Sequence, residues 1–304
     1  MMLHTRGSVL RLLQWQWKLT TVFVLSATAV FLAHELLGWS WATLPPMPLI
    51  VVGGAMGIFV SFRTNQCYDR WWEGRKLWGR MVNSSRHLAD QVVAFLPAGP
   101  KEQASELQQR LIHRHAGYVH ILRCLLRGHD LFADERVRAC LDAGELDALR
   151  RRSNPTHALL ERQQRELAEL HRRGVIDGHI MEAFDRTLAA LLDIQGGCER
   201  IKKTPLPRGY GFIANRLILA FGLLFPFALA TNLGWTIIPI NVLVSLSFAL
   251  ISEAGRVLED PFTMFWNGLP LSQLSTMIEV NLRETLGEER LPEIPGPSPQ
   301  GVLM

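Results

Sequence analysis

Six ionisable side chains crowd one short stretch of the chain: Arg63, Asp69, Arg70, Glu73, Arg75 and Lys76. A mixture of signs at this density has two uses. Paired, the groups form a partly buried ion network that fixes how helices pack. Left open at the end of an apolar helix, they form a charged vestibule on an ion path, with Arg63, Asp69, Arg70 and Glu73 as its members. Other chemistry is poorly supported. His113, His115 and His120 share one polar segment but lack the i, i+4 spacing of a metal motif, so they are expected to be solvated and to hold no metal. The four cysteines, Cys67, Cys124, Cys140 and Cys198, are too far apart for a CxxC motif and suggest neither a disulfide framework nor a zinc site. There is no GxSxG, Walker A or HExxH pattern, so neither enzymatic activity nor a cofactor is expected.

The elements that carry these residues are unevenly apolar. The chain has 304 residues, 48% hydrophobic, with a net charge of +4. Long charge-free runs flank a highly charged middle, the pattern of a membrane protein with a polar domain. The basic residues form no aromatic-studded stripe, so no nucleic-acid partner is implied. Residues 1–18 read as an amphipathic arm: His4, Arg6, Arg11 and Lys18 suit anionic headgroups, and Trp15 and Trp17 suit the interface. A first span follows from residue 19, and Trp39 and Trp41 mark its far end. Three prolines (Pro45, Pro46, Pro48) then open the second span, which ends near Phe62 and runs without a Gly/Pro break into the charged stretch. Within this span Val51, Ala55 and Phe59 recur every four residues on one helix face. Gly53 and Gly57 lie roughly opposite, where another helix could approach closely.

Residues 63–208 contain nothing apolar enough to cross a bilayer. Their pattern predicts helices over 81–96, 101–128, 134–150, 155–172 and 177–203. Thr204-Pro205-Leu206-Pro207 then holds one residue, Leu206, between two prolines and out of regular helix. Residues 209–256 include no charge between Arg216 and Glu253. Asn232, Leu233, Gly234 and Trp235, with Pro239, divide this run into a third and a fourth span. A helical segment over 257–288 and a Pro/Gly-rich tail over 289–304, expected to be disordered, complete the chain. The connections at 38–47 and 232–236 carry no Lys or Arg. The charge distribution therefore places both termini and the polar domain of a multi-pass membrane chain in the cytoplasm.

Several motifs in order carry a family resemblance. They are Phe59 to Asn65 (FVSFRTN), Cys67-Tyr68, Arg70 to Gly79 (RWWEGRKLWG), Cys198 to Ile201 leading to Pro207, Glu259-Asp260-Pro261-Phe262, Leu269-Pro270-Leu271, and Ile278 to Leu282. In these the chain resembles the bestrophin ion channels, in their bacterial branch. The resemblance implies an all-α homopentamer of four-span subunits, each with a cytoplasmic helical domain, around a central pore that passes small monovalent ions. It places a neck at Val51, Ala55 and Phe59, with Ile58 competing for the third position, and a cytoplasmic aperture at Leu206. Chloride is the family default, and a cation-selective (Na+/K+) channel is the alternative. In animal members an acidic calcium clasp follows the third motif. Here Thr263 to Gly268 offer no carboxylate, so the resemblance implies a channel without calcium gating. A transporter would need repeats and broken helices, of which Pro226 is the lone candidate. A membrane-anchored scaffold would use residues 63–208 to hold a partner.

Overall fold

The computed structural model describes residues 15–39, 43–99, 104–231, 233–298 and 303. His4, Arg6, Arg11, Trp41 and Asn232, named above, lie outside them, as do residues 299–302 and 304 of the tail. All regular elements among the described residues are helical: α1 (Trp17–Glu35), α2 (Pro46–Phe95), α3 (Glu106–Arg127), α4 (Glu135–Cys140), α5 (Ala143–Arg150), α6 (Pro155–Arg172), α7 (Gly178–Lys203), α8 (Arg208–Leu229), a 3-10 turn at Gly234–Thr236, α9 (Ile237–Leu258) and α10 (Leu271–Thr285). Among the described residues four helical segments are long and apolar enough to cross a membrane: Trp17–Glu35, Pro46–Phe95, Gly209–Leu229 and Gly234–Leu258. The chain is an all-α membrane protein.

It divides into two compact units. Among the described residues, one takes the chain from Trp15 to Trp71 together with Pro205–Glu259; the other takes Trp72–Thr204 and the chain that follows from Asp260. The spans make the first unit. Its core joins Phe23 of α1, Met56 and Val60 of α2, Ala214, Ile218 and Phe221 of α8, and Ala249 of α9. One feature of this core follows from a proline. Pro226 lies inside α8, and because it lacks an N–H the carbonyl of Gly222, four residues earlier, loses its helical partner. Buried Asn241 of α9 supplies the missing donor: its Nδ2 donates to the Gly222 oxygen at 3.2 Å and to the Phe23 oxygen at 3.0 Å. Gly222 also has to be glycine. A Cβ there would come within 2.2 Å of the Phe23 ring, so α1 and α8 meet through it.

The second unit has the character of a soluble helical domain. α3 begins with a capping box between Ser105 and Gln108 and ends at Gly128, whose φ of 69° favours glycine. Most of α3 is buried, including Arg114, which pairs with Glu145 at 2.5 Å and Glu166 at 2.6 Å. The pattern over 134–150 resolves into two helices rather than one. Leu141 is extended, and the Asp142 side chain accepts from the Glu145 N–H to start α5 afresh. The histidines also depart from expectation. His115 and His120 are fully buried, and only His113 remains partly exposed. His115 Nε2 lies 2.8 Å from the buried Ser85 hydroxyl, and burial pushes its pKa down to about 3, so the ring is neutral.

Replacing Asn241 with Leu should leave the Gly222 carbonyl without a partner and cost about 1–3 kcal/mol. Thermal unfolding in detergent will show a lower midpoint. Adding Pro226→Ala, which restores the helical N–H, will recover part of the loss in a double-mutant cycle.

Candidate functional site

The site is one face of α2. Met56 and Val60 turn into the core of the span unit, and Gly53 and Gly57 meet Phe221 of α8 and Phe248 of α9. A Cβ on Gly53 would stand 3.1 Å from the Phe221 ring, so this side of α2 is packed closely by its own subunit. The opposite side is bare. Val51, Ile58 and Phe62 are 66%, 61% and 65% exposed, and their i, i+7, i+11 spacing puts them on one stripe. Ala55 and Gly54 are exposed beside them, and Asn65 and Asp69 continue the stripe.

The expected neck residues are therefore not equivalent. Val51 and Ala55 belong to the outward face. Phe59 does not: it is half-buried, packs on the core, and stacks on Tyr210 with ring centroids 5.9 Å apart. Its place on the open stripe is taken by Ile58, the competing residue, and Phe62 extends the row by one turn. Phe62 escaped sequence reasoning because a register anchored at Val51 skips it. The signal that could have found it is its i+4 spacing from Ile58.

The charged residues separate by environment. Arg63, expected at the pore end, is 7% exposed. Its guanidinium donates to the Ser252 carbonyl at 3.2 Å and to a Glu259 oxygen at 3.4 Å. Arg70 donates through Nε to the Glu259 carbonyl at 2.8 Å. Glu73 accepts from Arg200. These three are engaged in holding helices together, which is the ion-network reading of the stretch. Asp69 differs: it is exposed and makes no ion pair among the described residues. Glu259 was legible only as part of a motif, with nothing to say that it would meet Arg63, a residue 196 positions away.

Leu206 lies between α7 and α8 in the segment that Pro205 and Pro207 keep out of helix. It is half-buried and lines a cavity with Arg63, Gln66, Tyr210, Asn215 and Arg256. Asp260, in the Glu-Asp-Pro-Phe motif, is occupied. One carboxylate oxygen accepts from Lys202 Nζ at 2.7 Å and the other from the Phe262 N–H at 3.0 Å. In the loop that follows, the Pro261 and Phe265 carbonyls accept from Leu269 and Gly268, each at 2.7 Å.

One cluster has donor types suited to a metal. His120, Cys140 and Glu279 are buried, with ligand atoms within 4.8 Å of one another. Glu279 is already saturated, however: His120 Nε2 approaches it at 2.9 Å, Arg283 Nη1 at 3.1 Å and Arg136 Nε at 3.8 Å. Burial alone would raise the Glu279 carboxyl, but His120, Arg136 and Arg283 outweigh it and hold the pKa below the usual range. A divalent cation would add charge where two guanidiniums already balance one carboxylate. The group is a hydrogen-bonded hub that ties α10 to α3.

The bacterial/fungal bestrophin family matches residues 1–284. A voltage-dependent anion channel-forming protein of Mesorhizobium japonicum is 35% identical over 79% of this chain and 75% of its own length. A protein of the same description from Ralstonia nicotianae is 32% identical over 96% of this chain and 92% of its own. The crystal structure of a bacterial bestrophin homologue from Klebsiella pneumoniae, solved by Zn-SAD phasing, superposes with a TM-score of 0.81 at 29% identity, covering 90% of this chain and 98% of that one. With its bare α2 stripe, its proline-held Leu206 and this likeness over nearly its whole length, the chain belongs to the bacterial and fungal bestrophin family.

Proposed function

We propose that this protein is an ion channel selective for small anions such as chloride. Copies of the chain, five by the family pattern, would bring the outward stripe of α2 to a common axis. The observation that carries this reading is the stripe itself. Val51, Ile58 and Phe62 are large, apolar and uncovered by the rest of their own subunit. One helix cannot enclose a path, but a ring of such helices makes an apolar constriction that can close by dewetting. Gly54 and Ala55 beside Val51 leave the outer part of this neck wider than the part at Ile58 and Phe62. Leu206 would form a second constriction, the aperture. The relatives named as anion channel-forming proteins support the choice of anion and a channel rather than an enzyme. Residues 63–208 and both termini lie on the cytoplasmic side of an inner membrane in this reading, in accord with the positive-inside rule.

One observation favours a second reading. Asp69 stands exposed at the charged end of the stripe, and a ring of carboxylates there would attract cations. Of the flanking cations on α2, Arg63 is neutralised by Glu259 within the subunit and Arg70 donates to the Glu259 carbonyl.

The purified protein in a planar bilayer under a KCl gradient should reverse near the chloride equilibrium potential. Reversal near the potassium value would establish the cation reading, and Asp69→Asn would then be the first variant to shift it. Ile58→Ala and Phe62→Ala should raise conductance or open probability several-fold, whereas Phe59→Ala should act mainly on stability. Unchanged currents in both Ile58→Ala and Phe62→Ala would remove α2 from the neck. Calcium should leave open probability unaltered, because Asp260 is spent on Lys202 and the Phe262 N–H and the loop after it supplies no further carboxylate; a response to micromolar calcium would contradict this.

A further inference from the structure

Arg216 is a cation without a carboxylate. It is exposed on α8, its guanidinium lies 5.1 Å from the Phe212 ring centroid, and it forms no ion pair among the described residues. Its depth is defined by sequence, since the charge-free run of α8 and α9 begins with Leu217 and ends with Ser252. Lys18 comes just before the apolar run of α1. These residues mark one membrane–water boundary, the level at which phospholipid phosphates sit. Exposed Trp15 and Trp17 at the same end of α1 suit that level as well.

The surroundings of Arg216 form a groove between α1, α8 and α9. Its polar end is made by Gln16, Asn215, Arg216 and Glu253, with the Phe212 ring beside the Arg216 guanidinium, and Leu19, Leu219 and Ala249 contribute to its apolar wall. Glu253 does not cancel Arg216, because its two oxygens accept from Arg256 at 2.7 and 2.5 Å. The groove also opens away from the neck helix. α8 meets α2 through Gly211, against Arg63, and Phe221, against Gly53; at about 100° per residue Arg216 is turned roughly 140° from both. An uncancelled cation at phosphate depth, beside an apolar channel on the flank away from α2, fits an amphiphile with a negative head.

We propose that the groove between α1, α8 and α9 binds an anionic phospholipid, with the phosphate on the Arg216 guanidinium and the upper acyl chain along Leu19 and Leu219. Neutral Gln16 and Asn215 offer hydrogen bonds to the glycerol and ester oxygens. Arg216 is chosen over Lys18 as the anchor because a guanidinium can grip a phosphate through two parallel donors. The assignment does not depend on ion selectivity or on the pore, so failure of one leaves the other standing.

Native mass spectrometry of the detergent-purified full-length protein tests it, with phosphatidylglycerol and phosphatidylcholine of matched chains as probes. The wild type should retain phosphatidylglycerol in preference. Arg216→Gln should bind it roughly fivefold more weakly, as expected for the loss of one basic contact, with phosphatidylcholine binding unchanged. Arg216→Lys should restore most of the preference. Equal binding of both lipids by the wild type would overturn the proposal, as would unchanged phosphatidylglycerol affinity in Arg216→Gln. Displacement of bound phosphatidylglycerol by inorganic phosphate alone would overturn it in favour of a free-anion site.

Discussion

The rotation of α2 about its own axis is the constraint on which everything else rests. A slip of one residue turns a helix by about 100° and would exchange the packed face for the bare one. Three close contacts along its packed side prevent this. Gly53 lies against the Phe221 ring, Gly57 against Phe248, and Gly255 of α9 admits the backbone of Thr64, whose Cα would be 3.2 Å from any Cβ placed there. Below them Arg63 reaches the Ser252 carbonyl and Glu259, so a buried charge would lose its partners if the helix turned. Apolar packing is tolerant of small rotations; a buried guanidinium with two specific acceptors is not. The dispersion contacts hold α2 in place, and the polar ones set its register.

The same division recurs in the helical unit. Its core is ordinary aliphatic packing, yet three buried polar groups decide which helix faces which. Arg114 of α3 takes Glu145 from α5 and Glu166 from α6, and Glu279 of α10 gathers His120, Arg136 and Arg283. His115 is carried neutral beside Ser85. Each group is met by a residue from a distant stretch of chain, so wrong pairings would leave the Arg114 and Glu279 charges stranded in a low-dielectric interior.

Much of this was legible in the sequence because membrane solvation is a strong rule. Four spans, the proline-held segment around Leu206 and the helical pattern of 63–208 follow from where charges and prolines stand. Three things were hidden. The fates of Arg63 and Glu73 depended on partners far away in sequence, Glu259 and Arg200, which periodicity cannot reveal. The burial of His115 and His120 depended on how completely other helices cover α3, and its high polar content concealed this. The third member of the outward stripe was left between Phe59 and Ile58, since Val51, Ala55 and Phe59 and the row through Ile58 and Phe62 are both apolar and both run every four residues. Only the rings that Phe59 actually touches separate them.

The four cysteines carry a practical consequence. All are free and buried, and burial pushes the thiols of Cys124 and Cys198 up to about 12 and that of Cys140 higher still. Thiolates do the reacting, so these sulfurs are shielded from both water and electrophiles. The natural chain is thus already a silent background for sulfhydryl chemistry, and a cysteine introduced anywhere along the bare stripe of α2 would report its surroundings with no native thiol to be removed first.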